Sequence, residues 1–72
     1  MLSFRVVNEG HTIQLYIDEE GMAALIKARE EVRADGDHIH LLAPSCGGRI
    51  LSEKDPHGHE AIGEVILEWF DP

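Results

Sequence analysis

A single cysteine among 72 residues excludes an internal disulfide and a four-cysteine zinc site, so packing alone has to hold the fold. Long apolar runs are missing too. No segment approaches the roughly 20 consecutive apolar residues that span a bilayer, and Met1-Leu2-Ser3-Phe4-Arg5 lacks the basic start and apolar core of a signal peptide. The expectation is a soluble, cytoplasmic chain. Basic residues are scarce: six Lys and Arg against fourteen Asp and Glu leave a formal charge of −8. That charge repels phosphate backbones and anionic membrane surfaces, which argues against nucleic acid and membranes as partners and favours a basic protein. Repeats, linkers and low-complexity tracts are absent.

What remains is ordinary globular material, 43% hydrophobic and 28% charged, in a length that allows one domain, residues 1–72, with one modest core. Phe4 to Val7 and His11 to Ile17 are β-favouring runs separated by the turn chemistry of Asn8-Glu9-Gly10, which predicts a hairpin. Ile13, Leu15 and Ile17 alternate with Thr12, Gln14 and Tyr16, so one face of the second strand is expected to be buried. Asp18 can cap a following helix, with Glu19 and Glu20 at its positive end. Met22, Leu25, Ile26, Arg29 and Val32 then form one stripe, and Gly36 is placed to end the helix. His38 to Ala43 and Ile62 to Phe70 read as the third and fourth strands.

The fold class expected is α+β, in the order β-β-α-β-β, with one helix packed on a four-stranded, largely antiparallel sheet. The helix side would hold Ile13, Leu15, Ile17, Ile39, Leu41, Val65, Leu67 and Trp69, with Trp69 as a core anchor. The opposite face would show Tyr16, His38, His40, Leu42, Ile66 and Phe70. One helix is too narrow to cover four strands. Either the open face is a binding or dimer surface, or the long loop after the third strand folds back over it.

That loop follows the most distinctive stretch of the chain. Asp37-His38-Ile39-His40-Leu41-Leu42-Ala43 breaks into Pro44-Ser45-Cys46-Gly47-Gly48, where adjacent glycines permit backbone angles closed to other residues and Pro44 ends regular pairing. The stretch Pro44 to Ala61 has no clear period, and loops of that length inside compact domains are often functional. Asp37 to Gly48, followed by Leu51-Ser52-Glu53 and Ile62-Gly63-Glu64-Val65-Ile66-Leu67, resembles the immunity protein 32 family of bacterial polymorphic toxin systems. The likeness lies in the second half of the chain, and Cys46 departs from the bulky aromatic the family often carries there. The resemblance implies a small cytosolic protein that binds and neutralises a toxin made by the same cell or its kin, and implies no particular site.

Three constellations are candidates for chemistry. His38-x-His40 on a strand and His57-Gly58-His59 in the loop supply enough imidazoles for zinc, with Cys46 in reserve, although the spacing is unlike compact zinc motifs. Cys46 with His38 or His40 as base, Asp37 as orienting group and the Gly47 and Gly48 amides as oxyanion donors would make a nucleophilic site. Against it, a lone cysteine usually packs as a small apolar residue and paired glycines usually mark a turn. The third is the acidic series Glu53, Asp55, Glu60, Glu64, Glu68 and Asp71, which is either solubilising surface or a template for a basic toxin surface.

The leading expectation is a non-catalytic immunity protein that needs no cofactor. Its cognate toxin would be met by His38, His40, Pro44, Ser45, Cys46, Gly47, Gly48, Glu53, Glu64, Glu68 and Phe70. The alternative is a small metal-binding module built on His38, His40, His57 and His59. A homodimer is compatible with either.

Overall fold

The computed structural model describes residues 1–35 and 38–70. The Gly36 helix stop, Asp37 as an orienting group and Asp71 of the acidic series lie outside the described residues. Along the chain run β1 (Leu2–Val7), β2 (Thr12–Ile17), α1 (Glu19–Asp35), β3 (His38–Leu42) and β4 (Glu64–Glu68), with short 3-10 turns at Asn8–Gly10 and Pro44–Cys46. The α+β class and the β-β-α-β-β order hold.

The single four-stranded sheet does not. β1 pairs antiparallel with β2, and β3 with β4, as two separate hairpins. The physical reason lies in the loop. Ser52 N donates to Leu2 O and Ile62 N to Phe4 O, both at 2.8 Å, while Leu51 N donates to Leu42 O at 3.1 Å. Loop backbone therefore satisfies the Leu2 and Phe4 carbonyls of β1 and the Leu42 carbonyl of β3, and among the described residues no β1–β3 ladder forms. β4 is also shorter than the run Ile62 to Phe70, because Ile62 is spent on β1 and Gly63 O accepts from Ala43 N at 2.9 Å. β1 starts earlier than Phe4, at Leu2, which is wholly buried.

Helix α1 begins where the sequence suggests. The Asp18 carboxylate accepts from Gly21 N at 2.8 Å and from the Met1 amino group. The amino group and the Gly21 amide hold that carboxyl below its usual pKa. Gly21 has a packing reason as well, since a Cβ there would lie 1.9 Å from Met1 O. The core is Leu2, Ala28, Val32, Leu41, Ala43 and Leu51, with Phe4, Ile17, Leu25, Ile39, Val65 and Leu67 packed against it.

The helix lies over the Leu2 and Ile17 end of the first hairpin and leaves its far end uncovered. Ile13 (63% exposed) and Leu15 (43%) are therefore not the buried face that their alternation implies. Trp69 is not a core anchor either. It stands beyond the end of β4, over a third exposed, with the Arg33 guanidinium 5.7 Å from its ring centre. Together with Met22, Leu25, Ile26, Arg29, Val32 and Leu67 it lines an apolar groove of about 360 Å³ between α1 and β4. Among the described residues no helix is long and apolar enough to cross a membrane.

Candidate functional site

The β3–β4 register places His38 opposite Glu68, His40 opposite Ile66 and Leu42 opposite Glu64. Side chains alternate along a strand, so Ile39, Leu41, Val65 and Leu67 turn to the core and the other set turns outward together. His38, His40, Glu64, Ile66 and Glu68 are all exposed there, and Phe70, just past the strand, is 80% exposed. The His38 and His40 rings meet edge to face at 5.1 Å. His40 Nδ1 lies 2.7 Å from Glu64 Oε2, a diagonal cross-strand hydrogen bond. An apolar centre at Ile66 is thus ringed by two imidazoles and two carboxylates.

The loop that follows β3 closes over one end of this face. Pro44 opens a 3-10 turn, Gly47 takes φ = 90°, and Cys46 N and Gly48 N both donate to Ala43 O, at 2.9 and 3.1 Å. Gly48 passes so near Leu42 that a Cβ on it would lie 2.3 Å from Leu42 Cβ. Leu42 is consequently half-buried while its outward neighbours stay exposed, so the loop folds back over only part of this surface. Glu53 accepts from Ser45 N and, at 2.9 Å, from Ser45 Oγ, which ties the loop into a closed unit. The Glu53 carboxylate is thus engaged inside the loop. Pro44, Ser45, Cys46 and Gly47 form its exposed apex.

Cys46 is exposed, not the small buried residue that its solitude suggests. Its sulfur lies 4.0 Å from Ser45 Oγ and sits above Gly63, where a Cβ would come within 2.9 Å of it. Among the described residues the nucleophile arrangement is not assembled. Gly47 N is spent on Pro44 O and Gly48 N on Ala43 O, so neither amide is open to an oxyanion, and His40 is turned to Glu64.

The remaining histidines belong to a different surface. Asp55-Pro56-His57-Gly58 forms a turn with Gly58 N donating to Asp55 O at 3.0 Å and Gly58 at φ = 85°. The Asp55 side chain has no exposed surface. It accepts from His57 N (2.8 Å), His59 N (2.9 Å) and His59 Nδ1 (3.0 Å), with Arg5 Nη1 at 3.7 Å. Burial pushes its carboxyl pKa up, but the two amides and the His59 ring outweigh it and hold the group below its usual value. Tyr16 is half-buried with His57 edge-on to its ring at 5.8 Å. This half of the loop therefore covers the outer face of β1–β2, which takes Tyr16 out of the exposed patch.

The two histidine pairs consequently lie apart, His38 and His40 on β3 and His57 and His59 in the loop against the first hairpin. Among the described residues no group of three or more His, Cys, Asp or Glu side chains is gathered as a metal would need. The acidic series does not form one surface either: Asp55 is internal, Glu53 is turned on Ser45, and Glu64 and Glu68 stand on the β3–β4 face. Compared with models of protein families, with curated proteins and with solved structures, the chain matches none. Asp55, in the sequence one of the acidic series, organises this half of the loop. The signal was present: Asp before Pro, with Gly two residues further on, is a turn signature in which the carboxylate caps the following amides.

Proposed function

We propose that this chain is a non-catalytic immunity protein, acting in the cytoplasm, that neutralises a cognate toxin by occupying its surface. The observation that carries the reading is the outer face of β3–β4, where Ile66 (55% exposed) stands among Glu64, Glu68, His38 and His40, with the exposed Phe70 (80%) past the end of β4 and the exposed Pro44–Gly47 apex past the end of β3. Exposed apolar groups inside a charged rim are the anatomy of a protein-binding patch. The sequence likeness of Asp37–Gly48 to the immunity protein 32 family supports the same reading, and its His38–Gly48 part falls on the strand and loop that build this surface. The partner it suits is a basic protein. An enzyme that cleaves nucleic acid carries a cationic groove that such a face can cover.

The test is rescue. The C-terminal region of the product of the reading frame immediately upstream is expressed in a sensitive host with and without this protein. The expected result is growth arrest relieved only by co-expression; a harmless region, or equal killing in both cultures, refutes the proposal. Reversing Glu64 and Glu68 to Lys, both exposed, should leave the circular dichroism unchanged, weaken the complex and flatten its salt dependence. Undiminished binding by that variant would remove the face from the interface.

A further inference from the structure

Among the described residues, the β1 edge of the first hairpin is bonded by the loop and the β2 edge is open. β1 gives its outer carbonyls at Leu2 and Phe4 to Ser52 and Ile62. In an antiparallel pair, facing residues alternate between bonding each other and turning their backbone groups away. Leu2, Phe4 and Val6 face Ile17, Leu15 and Ile13, so these three residues of β2 turn their N–H and C=O groups to the outside. Among the described residues nothing else pairs with Ile13 and Leu15 there.

The same residues are apolar and exposed: Ile13 at 63% and Leu15 at 43%, with Val6 at 49% on the same face. Proteins usually blunt such an edge with lysine, proline, a bulge or a covering segment. Thr12-Ile13-Gln14-Leu15-Tyr16-Ile17 has none of these and no charge at all, in a chain of net charge −8. A copy of an acidic protein can approach closely only where charge is absent. A partner drawn by charge, by contrast, is steered to the acids of β3–β4.

We propose that β2 is a self-association edge, on which the chain pairs with a second copy of itself through antiparallel β2–β2 contact about a two-fold axis. Of the registers that set outward groups against outward groups, the one that opposes Leu15 to itself engages all three of Ile13, Leu15 and Ile17. Leu15 lies opposite Leu15 of the second copy and Ile13 opposite Ile17, placing three apolar pairs on one face and Gln14 against Tyr16 on the other. A slip of one residue would set outward groups against inward ones and is excluded. A two-fold contact is self-complementary by construction. Strand pairing alone is small beside the roughly 1,200–2,000 Å² of a stable interface, so the dimer forms at concentrations on the order of 100 µM. This dimer leaves the β3–β4 face of each copy open and does not depend on the immunity reading.

The test is sedimentation equilibrium of the whole protein over roughly 10 µM to 1 mM. The mass should rise from 8.0 kDa toward twice that value. Ile13→Lys, at a position too exposed to matter for folding, should weaken association at least about tenfold, an inward charge being how natural edges avoid pairing. In a Cys46→Ser background, Leu15→Cys should cross-link rapidly on mild oxidation, because self-opposed Cα atoms in such a pair stand about 5.5 Å apart. His11→Cys, off the register, should not. A monomer throughout the range, an undiminished Ile13→Lys dimer, or equal cross-linking at both positions overturns the proposal. So does a monomer in which Ile13→Lys abolishes toxin binding, since the edge would then belong to the toxin.

Discussion

Gly47 and Gly48 are adjacent, yet a methyl group added to each should fail for a different reason and by a different amount. At Gly48 the new Cβ would stand 2.3 Å from Leu42 Cβ, 2.5 Å from Leu42 O and 2.8 Å from Leu42 C. Two of those atoms are backbone in the middle of the β3–loop junction, so no side chain can swing aside. The loop would have to lift, stretching Gly48 N to Ala43 O and Leu51 N to Leu42 O, both 3.1 Å, and loosening Leu51, which is 2% exposed. Overpacking of this kind costs about 1–3 kcal/mol and each weakened hydrogen bond about 0.5–1.5 kcal/mol, so Gly48→Ala should lose about 3 kcal/mol. At Gly47 a Cβ meets nothing within 4 Å, and only the φ of 90° opposes it. That conformational term is about 1–2 kcal/mol and should fall on replacing Gly by Asn. Urea unfolding followed by circular dichroism and Trp69 fluorescence measures both. At a slope of about 1 kcal/mol per molar for so short a chain, the midpoint of Gly48→Ala should drop by about 3 M, more than that of Gly47→Ala. A Gly48→Ala midpoint equal to or above that of Gly47→Ala would refute the close-approach argument.

Leu41 and Leu51, 1% and 2% exposed, close the core from the strand side and the loop side. Leu51→Ala should cost about 2–5 kcal/mol in urea unfolding, close to Leu41→Ala, because the loop is part of the core; a loss under about 0.5 kcal/mol would make the loop an appendage. Asp55 titrates lower in the folded chain than in the unfolded one. Its contribution is therefore fully present above the unfolded carboxylate pKa near 3.9 and is lost as pH falls through the lower folded value. Asp55→Asn, which keeps an acceptor for the His57 and His59 amides, should flatten the acid limb of the stability–pH curve, and an unchanged limb would count against the assignment. Protein purified without a histidine tag should contain no stoichiometric zinc by elemental analysis and keep its melting temperature in chelator. One equivalent of zinc whose removal lowers that temperature would favour a metal-binding module instead.

The strands and the helix start are legible because they depend on neighbours in sequence: the alternation from Thr12 to Ile17, the Asp18 cap, and the His38-x-His40 spacing that sets both imidazoles on one side. What alternation does not encode is which face is covered. Ile13 and Leu15 carry the pattern of a buried face, but the helix reaches only the Ile17 end, so the same pattern yields an exposed one. The split of the sheet was hidden for a related reason. It arises because loop amides at Ser52 and Ile62 satisfy β1, and backbone bonds leave no mark in side-chain composition. Of the candidate surface, the outward set His38, His40, Glu64 and Glu68 is recoverable from spacing alone, whereas the diversion of Glu53 to Ser45 is visible only in three dimensions.

The sealing of β1 by Ser52 and Ile62 also sets an order of events. A ribosome adding roughly 5–20 residues per second presents β1, β2 and α1 seconds before the segment that completes them. During that interval the first hairpin has two open edges and Leu2 has neither Leu41 nor Leu51 to pack against. Contacts between the start of the chain and residues so far along it are slow to find and cannot form early, so the native structure is complete only after synthesis has passed Ile62. The surface that β3, β4 and the loop build together therefore exists only in molecules whose synthesis has passed β4.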